Sequence, residues 1–326
     1  MNAAEIDWIA VDWGTTRLRA WAMDAADVPL GSASSEAGMG ALAPDAFEPA
    51  LLELVGGWLD GARTVPVPVV ACGMVGARQG WVEAPYAPVP CPPAGPAAAV
   101  RAPTTDPRIE CRVVPGLGQG EPADVMRGEE TQLGGLLAAE PGFDGVACLP
   151  GTHSKWARLA GGEVRAFRTC MTGELFAALG SATVLRHSVA GDARRDDDVR
   201  GDDRDEDGDD EAFARAVAET LDAPASLAAS LFGLRAADLL HGEPRARLRA
   251  RLSGLLLGAE LAATRDWWTG VEVALVGAPA LAARYAAALS VAGGASRTLD
   301  ADALTLAGLV AARRRLPGRD ARETFP

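Results

Sequence analysis

The chain has 326 residues, 48 % of them hydrophobic, which is more than one small core requires and suggests two domains. Its formal net charge of −13 argues against a nucleic-acid binder, which needs a basic face. No apolar run is long enough to span a bilayer, and the N-terminal MNAAEIDWIA lacks the basic and apolar regions of a signal peptide. These features predict a soluble, cytoplasmic protein without nucleic-acid or membrane partners; they carry no information on oligomeric state. Cys72, Cys91, Cys111, Cys148 and Cys170 are scattered, odd in number and without CxxC spacing, so free thiols are expected rather than a zinc site.

Ile6 to Val11 reads as an apolar strand that ends in Asp12-Trp13-Gly14-Thr15-Thr16-Arg17, and Leu18 to Met23 reads as its hairpin partner. Glycine lets the backbone approach a ligand closely, and threonine hydroxyls beside free N–H groups can hold phosphate oxygens. Asp12, where the strand ends, suits a Mg²⁺ ion held through water and nucleotide phosphates. An ordinary Asp-x-Gly hairpin turn is the plainer alternative. Residues 45 to 63 have helical apolar spacing, and Val67 to Ala71 is a strand feeding the glycine-rich stretch from Cys72 to Trp81. Open α/β folds place ligands at such strand ends. A proline-rich passage, 84 to 96, is expected to run extended, with a short strand at Arg112 to Val114. The Gly116–Gly120 loop lacks dinucleotide-fingerprint spacing and is assigned no function.

The most informative stretch runs from 124 to 156. Glu129 and Glu130 follow Gly128 and open a helix with small residues at Gly134, Gly135 and Ala138. A strand, Val146 to Leu149, then breaks into Pro150-Gly151-Thr152-His153-Ser154-Lys155, and Lys155 is the only lysine in the chain. Where arginine is otherwise used, one compact mobile ammonium in a Gly-Thr turn points to phosphate. This strand–turn–strand unit repeats the form of the first hairpin and suggests a duplicated domain, one copy keeping the carboxylate and the other the lysine.

Val164 to Cys170 is a strand carrying Arg165 and Arg168, followed by a helix from Thr172 to Leu179. The acidic run 192–211 cannot bury itself and is expected to be a solvated loop or partly disordered insertion. Helices follow over Glu211–Leu221, Ser226–Leu240 and Pro244–Trp267. A strand from Val271 to Val276 ends at Gly277-Ala278-Pro279, and a helix from Ala280 to Leu289 begins there. Such a turn can cradle an adenosine moiety against free amides. A final helix runs from Ala301 to Arg314. Its segment 304–312 and residues 131–140 have the small residues expected of helices crossing between two lobes. Alternating strands and helices make the chain α/β.

The segments AVDWGTTRLRAW, CGMVGARQGWVEAPY, VMRGEETQL, LPGTHSKW, FRTCMTGEL, GLLLGAELAATRD and LVGAPALAARY, in this order, resemble the sugar-kinase and actin-like ATPase superfamily. Within it they are most similar to the 2-dehydro-3-deoxygalactonokinase family. The resemblance implies two ribonuclease H-like lobes with a nucleotide-binding cleft between them. The N-terminal lobe would take 1–140, with the helix 301–314 packing back, and the C-terminal lobe 141–300, including the acidic insertion. It implies phosphorylation of 2-dehydro-3-deoxy-D-galactonate to its 6-phosphate in galactonate catabolism, with ATP and Mg²⁺. By likeness Asp12, Gly14, Thr15 and Thr16 would hold metal and phosphate. Gly151, Thr152 and Lys155 would form the second phosphate turn, with Lys155 at the transferring group, and Gly277 with Ala278 the adenosine turn. Related kinases carry a catalytic aspartate in a Gly-Asp-Asn sequence, where this chain has Gly128-Glu129-Glu130. The base is thus a glutamate, and which of the two stays open; Glu129, which can point into the cleft from a helix start, is the expected one, with Asp12 next. Arg127, Arg168, Trp81 and Glu130 are the expected substrate contacts, either arginine suiting a carboxylate. His153 stays outside the core set. Another sugar or sugar-acid kinase of the superfamily, or a non-kinase actin-like ATPase, remains open, whereas the lack of a Walker A sequence excludes a P-loop site.

Overall fold

The structure is a computed structural model that describes residues 3–60, 64–93, 99–190 and 206–316. The first strand, β1 (Trp8–Trp13), is apolar except for Asp12, and the other five residues are buried. Strand alternation sends Ile9, Val11 and Trp13 into one core and Trp8 and Ala10 into another, so both faces are covered. Antiparallel β2 (Leu18–Met23) and β3 (Pro29–Ser35) flank it on one side. Helix α1 (Phe47–Val55) buries Phe47, Leu51 and Val55 in the first of these cores. On the other side β4 (Val67–Gly73) lies parallel to β1. Next come β5 (Tyr86–Pro88), β6 (Val100–Arg101), β7 (Ile109–Val113), β8 (Gly116–Gln119), β9 (Asp124–Met126) and α2 (Glu129–Ala139).

The remaining elements are β10 (Gly145–Leu149), β11 (Ser154–Ala160), β12 (Glu163–Cys170), α3 (Thr172–Ala182), α4 (Arg186–Val189), α5 (Glu206–Asp222), α6 (Leu227–His241), α7 (Arg245–Ala263), α8 (Arg265–Trp268), β13 (Glu272–Gly277), α9 (Pro279–Val291), β14 (Ala295–Asp300) and α10 (Ala301–Arg315). The sheets read β3-β2-β1-β4-β7-β6, β12-β11-β10-β13-β14 and, for the smallest, β5-β8-β9. The first five positions of the first sheet and all five of the second follow the same plan: a three-strand meander, then two strands on the far side of its first strand. This is the ribonuclease H-like lobe, twice. Two compact units result, one holding the described residues up to Asp144, 158–167 and from Asp300 onward, the other 145–157 and 168–299.

Several boundaries differ from expectation. Helix α1 stops at Val55 and tightens into a 3-10 turn over Gly56–Trp58, because paired glycines do not sustain a helix; residues 61–63 lie outside the described residues. The edge strands β3 and β14 were not legible, since PLGSASS and ASRTLD lack an apolar stripe. The expected single helix Pro244–Trp267 breaks at Thr264, whose φ of −111° and ψ of 17° leave the helical region. Of the acidic run, 191–205 lie outside the described residues, but Glu206 to Asp210 open α5 rather than forming a loop. Carboxylates are favoured in a first helical turn by the helix dipole. Among the described residues no helix is long and apolar enough to cross a membrane. The five cysteines are free thiols, Cys72, Cys111 and Cys148 buried.

Helices α2 and α10 cross each other within the first unit, which corrects their expected place between two lobes. The crossing is backbone against backbone. A Cβ on Gly135 would lie 1.9 Å from the Leu304 carbonyl oxygen, and one on Gly308 would lie 1.8 Å from that of Thr131. Gly135→Leu or Gly308→Leu should therefore lower the thermal midpoint sharply, overpacking costing about 1–3 kcal/mol or more. Gly120→Ala, where nothing stands within 4 Å of the added carbon, should leave it almost unchanged. Differential scanning calorimetry of the three variants checks this.

Candidate active site

In the first unit, Asp12 is the one polar interruption of β1 and lies toward the strand's C-terminal end. Hairpin register sets Asp12 opposite Arg19, and parallel pairing sets it beside Cys72. Its Oδ2 accepts from Arg19 Nη2 at 2.6 Å and Nε at 3.2 Å, while Oδ1 faces the Cys72 thiol at 3.8 Å. Arg19 also binds Asp302 on α10. The turn after β1 closes through Gly14 N–H donating to the Arg17 carbonyl at 2.9 Å, with Thr15 and Thr16 exposed at the tip. Its backbone is in turn pinned by Gly40 N–H donating to Thr15 O at 2.9 Å.

Gly73, at the end of β4, has φ +89°, and a Cβ there would lie 2.8 Å from Trp13 O and 3.4 Å from Asp12 Oδ1. Gly128, with φ +108°, abuts it, its own Cβ position being 3.5 Å from the Gly73 Cα. Only glycine serves at such a corner. Asp12, Gly73 and the start of α2 therefore converge. There Glu129 Oε2 accepts from Arg127 N–H at 3.0 Å, and Glu130 Oε2 from Gly128 N–H at 2.6 Å. The two carboxylates differ in setting. Glu129 is half-buried, whereas Glu130 is wholly buried, and burial together with the charge of Glu129 pushes its carboxyl up to about 8. Glu130 is thus mostly protonated at neutral pH. Burial, then the charges of Asp12 and Glu130, holds the Cys72 thiol well above its usual range.

In the second unit, the turn from Gly151 to His153 joins β10 to β11, with Thr152 and His153 exposed and Ser154 and Lys155 buried. The start of α3 presses on it. A Cβ on Gly173 would meet Gly151 O at 2.4 Å, Glu174 N–H donates to Thr152 O at 2.9 Å, and His153 Nε2 lies 2.5 Å from Glu174 Oε2. Gly277 sits against Pro150, its Cβ position 3.4 Å from the proline oxygen, and Ala278 caps α9 with Pro279 in its first turn. Beside both turns opens a cavity of about 550 Å³ whose lining includes Gly151, Thr172, Phe176, Arg249, Leu281 and Tyr285. Its volume and its mix of apolar wall and few polar groups suit a nucleoside.

Two expected substrate contacts are placed otherwise. Trp81 is 9 % exposed and its ring belongs to the core, stacked on Phe47 at 6.5 Å and edge-on to Trp13 at 6.1 Å. Glu130 is enclosed, as described, with its Oε2 on the Gly128 amide. Arg168 Nη1 is committed to the Ala263 carbonyl at 2.5 Å, with its guanidinium over Trp267 at 5.5 Å. Arg127 differs: it is 9 % exposed, Nη2 donates to Ala84 O at 2.7 Å, and Nε and Nη1 have no hydrogen-bond partner among the described residues. Residues the sequence did not single out include Arg19, whose cross-strand position opposite Asp12 was the available signal, and Glu260, the lone acid in the run LLLGAELAA.

The donor set fits a nucleotide and a hard cation. Asp12 keeps one carboxylate oxygen with only a long thiol contact, in a corner that a Cβ on Gly73 would fill. No group of three or more metal-binding side chains occurs among the described residues. Mg²⁺ needs none, since it keeps most of its waters and takes its other ligands from phosphates.

Residues 12–312 match the family model for 2-keto-3-deoxy-galactonokinase. A Rhizobium meliloti (strain 1021) protein named as a probable 2-dehydro-3-deoxygalactonokinase is 41 % identical, over 94 % of this chain and 96 % of its own length. The 2-dehydro-3-deoxygalactonokinase of Escherichia coli (strain K12) is 36 % identical, over 85 % and 87 %. The crystal structure of a Sinorhizobium meliloti protein named as a putative 2-dehydro-3-deoxygalactonokinase superposes with a TM-score of 0.82 at 39 % identity, over 94 % of this chain and 98 % of that one.

The Glu130 carboxyl gives a stability signature. Its folded value lies above the ordinary 4.5, so its contribution is complete below about 4.5 and is lost as pH rises towards about 8. Glu130→Gln keeps the size and removes the proton. The melting temperature of the unaltered protein should fall relative to this variant across that window, as thermal melts at stepped pH will show.

Proposed function

The chain belongs to the 2-keto-3-deoxy-galactonokinase family, and we propose that it transfers the γ-phosphate of ATP to the 6-hydroxyl of 2-dehydro-3-deoxy-D-galactonate. The observation that carries this reading is the convergence of Asp12, Gly73 and the Gly128-Glu129 corner in the first unit. When bound, ATP with Mg²⁺ supplies the phosphoryl group and the metal charge that offsets it. Asp12 would hold the ion, and Gly14, Thr15 and Thr16 would offer hydroxyls and backbone to phosphate oxygens. In the second unit, Gly151, Thr152 and Lys155 would form a further phosphate turn, and the cavity lined by Gly151, Thr172 and Tyr285 would take the nucleoside.

Glu129 is the base. An alcohol is a poor nucleophile at neutral pH, and an ionised carboxylate beside it takes the proton as the O–P bond forms. The enclosure of Glu130, and the proton it keeps, leave Glu129 as the acceptor of the pair. Arg127 supports an acid as substrate rather than a neutral sugar. Unmet buried donors cost about 1–3 kcal/mol each, and a guanidinium does not relieve that by losing its proton. A substrate carboxylate meets that need, once the loop at Gly76, against which Nη1 lies, gives way.

A coupled kinase assay over a panel of 2-keto-3-deoxy acids and their neutral sugar counterparts, with and without Mg²⁺, tests the reading. Turnover should require the acid and the metal. Arg127→Met should raise KM for the acid about tenfold or more, in line with the loss of a charge-assisted contact, and leave KM for ATP nearly unchanged. Equal losses for both substrates would remove Arg127 from the role.

Glu129→Gln should bind ATP and sugar acid almost normally yet turn over about 10²–10⁴-fold more slowly, while Glu130→Gln loses far less. Rapid-quench single-turnover kinetics separates the two. The reverse order of losses would move the base to Glu130.

A further inference from the structure

Glu260 is an acid with no role in the chemistry above. It lies late in α7, is 4 % exposed, and stands in a helix that otherwise buries leucines, alanines and glycines. Burying a carboxylate costs several kcal/mol unless its oxygens are fully met. Here they are. Oε1 accepts from Ser154 Oγ and from Trp156 Nε1, each at 2.8 Å. Oε2 accepts from Tyr285 Oη at 3.0 Å and from Thr172 Oγ1. Burial raises the carboxyl above its ordinary range, and these four hydrogen bonds oppose that shift.

The four donors come from the elements that shape the second half-site. Ser154 and Trp156 alternate along β11 on one face of the strand, directly after the Gly151–His153 turn, with Lys155 directed to the opposite face. Thr172 is the first residue of α3, and its neighbour Gly173 is the residue pressed against Gly151 O. Tyr285 is on α9, the helix that begins at the Gly277-Ala278 turn. Thr172 and Tyr285 also line the cavity. The helix that bears Glu260 is itself fixed. Cβ atoms on Gly254 and Gly258 would fall 2.4 Å from Phe213 O and 2.3 Å from Val217 O, so α7 lies backbone to backbone on α5.

We propose that Glu260 is a positioning residue for phosphoryl transfer: its carboxylate ties β11, the start of α3 and α9 to the α7 post, and so holds the Gly151–Lys155 turn in register with the cavity wall that receives the nucleotide. The proposal rests on the reading of this turn and cavity as the nucleotide half-site. A buried apolar side chain would fill the same volume without fixing direction, whereas two oxygens with two donors each fix four side chains in angle as well as distance. Displacement of a phosphate contact by about 1 Å can cost 10²-fold in rate, which makes such a tie worth its burial.

Glu260→Gln preserves size and one acceptor oxygen. Its amide can still accept from Ser154 and Trp156 and donate to the hydroxyls of Thr172 and Tyr285, so the variant should fold with a melting temperature close to that of the unaltered protein. It should nevertheless lose about 10- to 100-fold in kcat and raise KM for ATP, while KM for the sugar acid changes less than threefold. Ser154→Ala, which removes one donor and leaves the acid, should lower kcat in the unaltered background. In the Glu260→Gln background it should add little, because the two act through one tie. Calorimetric titration with a non-hydrolysable ATP analogue is run alongside, including Ser253→Trp, which fills the cavity that Ser253 lines. If Ser253→Trp leaves analogue affinity unchanged, the half-site reading itself fails, and the proposal with it. If Ser253→Trp abolishes binding but Glu260→Gln and Ser154→Ala keep unaltered kcat and KM for ATP, the half-site stands and Glu260 is only a packed core acid. Equal losses in KM for both substrates, or a falling melting temperature with unchanged kinetics, overturn the proposal in the same way. Should Glu260→Gln fail to fold, Ser154→Ala decides alone.

Discussion

The first unit depends on backbone approaching backbone where no side chain intervenes. Helix α2 is held at two places by this means: Gly135 lies on the Leu304 carbonyl and Gly308 on that of Thr131, while Gly128 turns against Gly73 at positive φ. Together these fix where the first turn of α2 stands relative to the end of β1. Glu129, the first residue of α2, is placed by them, and its Oε2 accepts from the Arg127 amide just upstream. A helix set by close packing cannot drift by fractions of an ångström, and a general base must be placed to that tolerance. Structure and chemistry meet in the choice of glycine.

Two buried glutamates, one in each unit, are both pushed up by burial but differ in the hydrogen bonds that oppose it. Glu130 has the Gly128 amide and the Thr131 hydroxyl near it, and a second carboxylate as neighbour. Few donors and a like charge favour the neutral form. Glu260 has four donors on two oxygens, which favour the charged form against burial. Arg127 is the cation that acts on Glu130, and it lowers the carboxyl less than burial raises it. Hydrogen-bond supply, rather than depth, separates an acid that stores a proton from one that organises its neighbours.

Much of the fold was legible because β1 and β10 are apolar runs broken by Gly-Thr turns, and such punctuation survives without tertiary context. The crossing glycines of α2 and α10 were legible as small residues, but not their partners, because which helices cross is settled by tertiary packing. Strands β3 and β14 were hidden by polar, small-residue edges that pairing alone makes extended. Near Gly73, turn chemistry pointed to Asp12 and the family resemblance to Glu129, and the structure brings Gly73 against both turns. The burial of Trp81 could not be read in this way, since a tryptophan after a glycine-rich loop reads alike whether its ring meets solvent, substrate or Phe47. Glu130 and Glu129 are likewise indistinguishable in a sequence, where a first helical turn welcomes both; only packing shows which is enclosed. Glu260 is the instructive omission, because a lone acid in an apolar helix carries a cost that some set of donors must offset.

The two sheets share one plan, yet the turn that follows the first strand has diverged in each. In the first unit the strand ends in a carboxylate held by a cross-strand arginine, Arg19, which is itself shared with Asp302 on α10. A carboxylate so held spends one oxygen on the arginine and leaves the other with only the long thiol contact. In the second unit the corresponding strand ends apolar, at Leu149, and the polar work moves to the far side of the turn, where Ser154 reaches inward to Glu260 and Lys155 takes the other face. Strand alternation alone produces that division: one residue anchors, the next is left to act. A duplicated lobe thereby carries a carboxylate before one turn and a lysine after the other, and the difference lies in which position of a two-residue repeat carries charge.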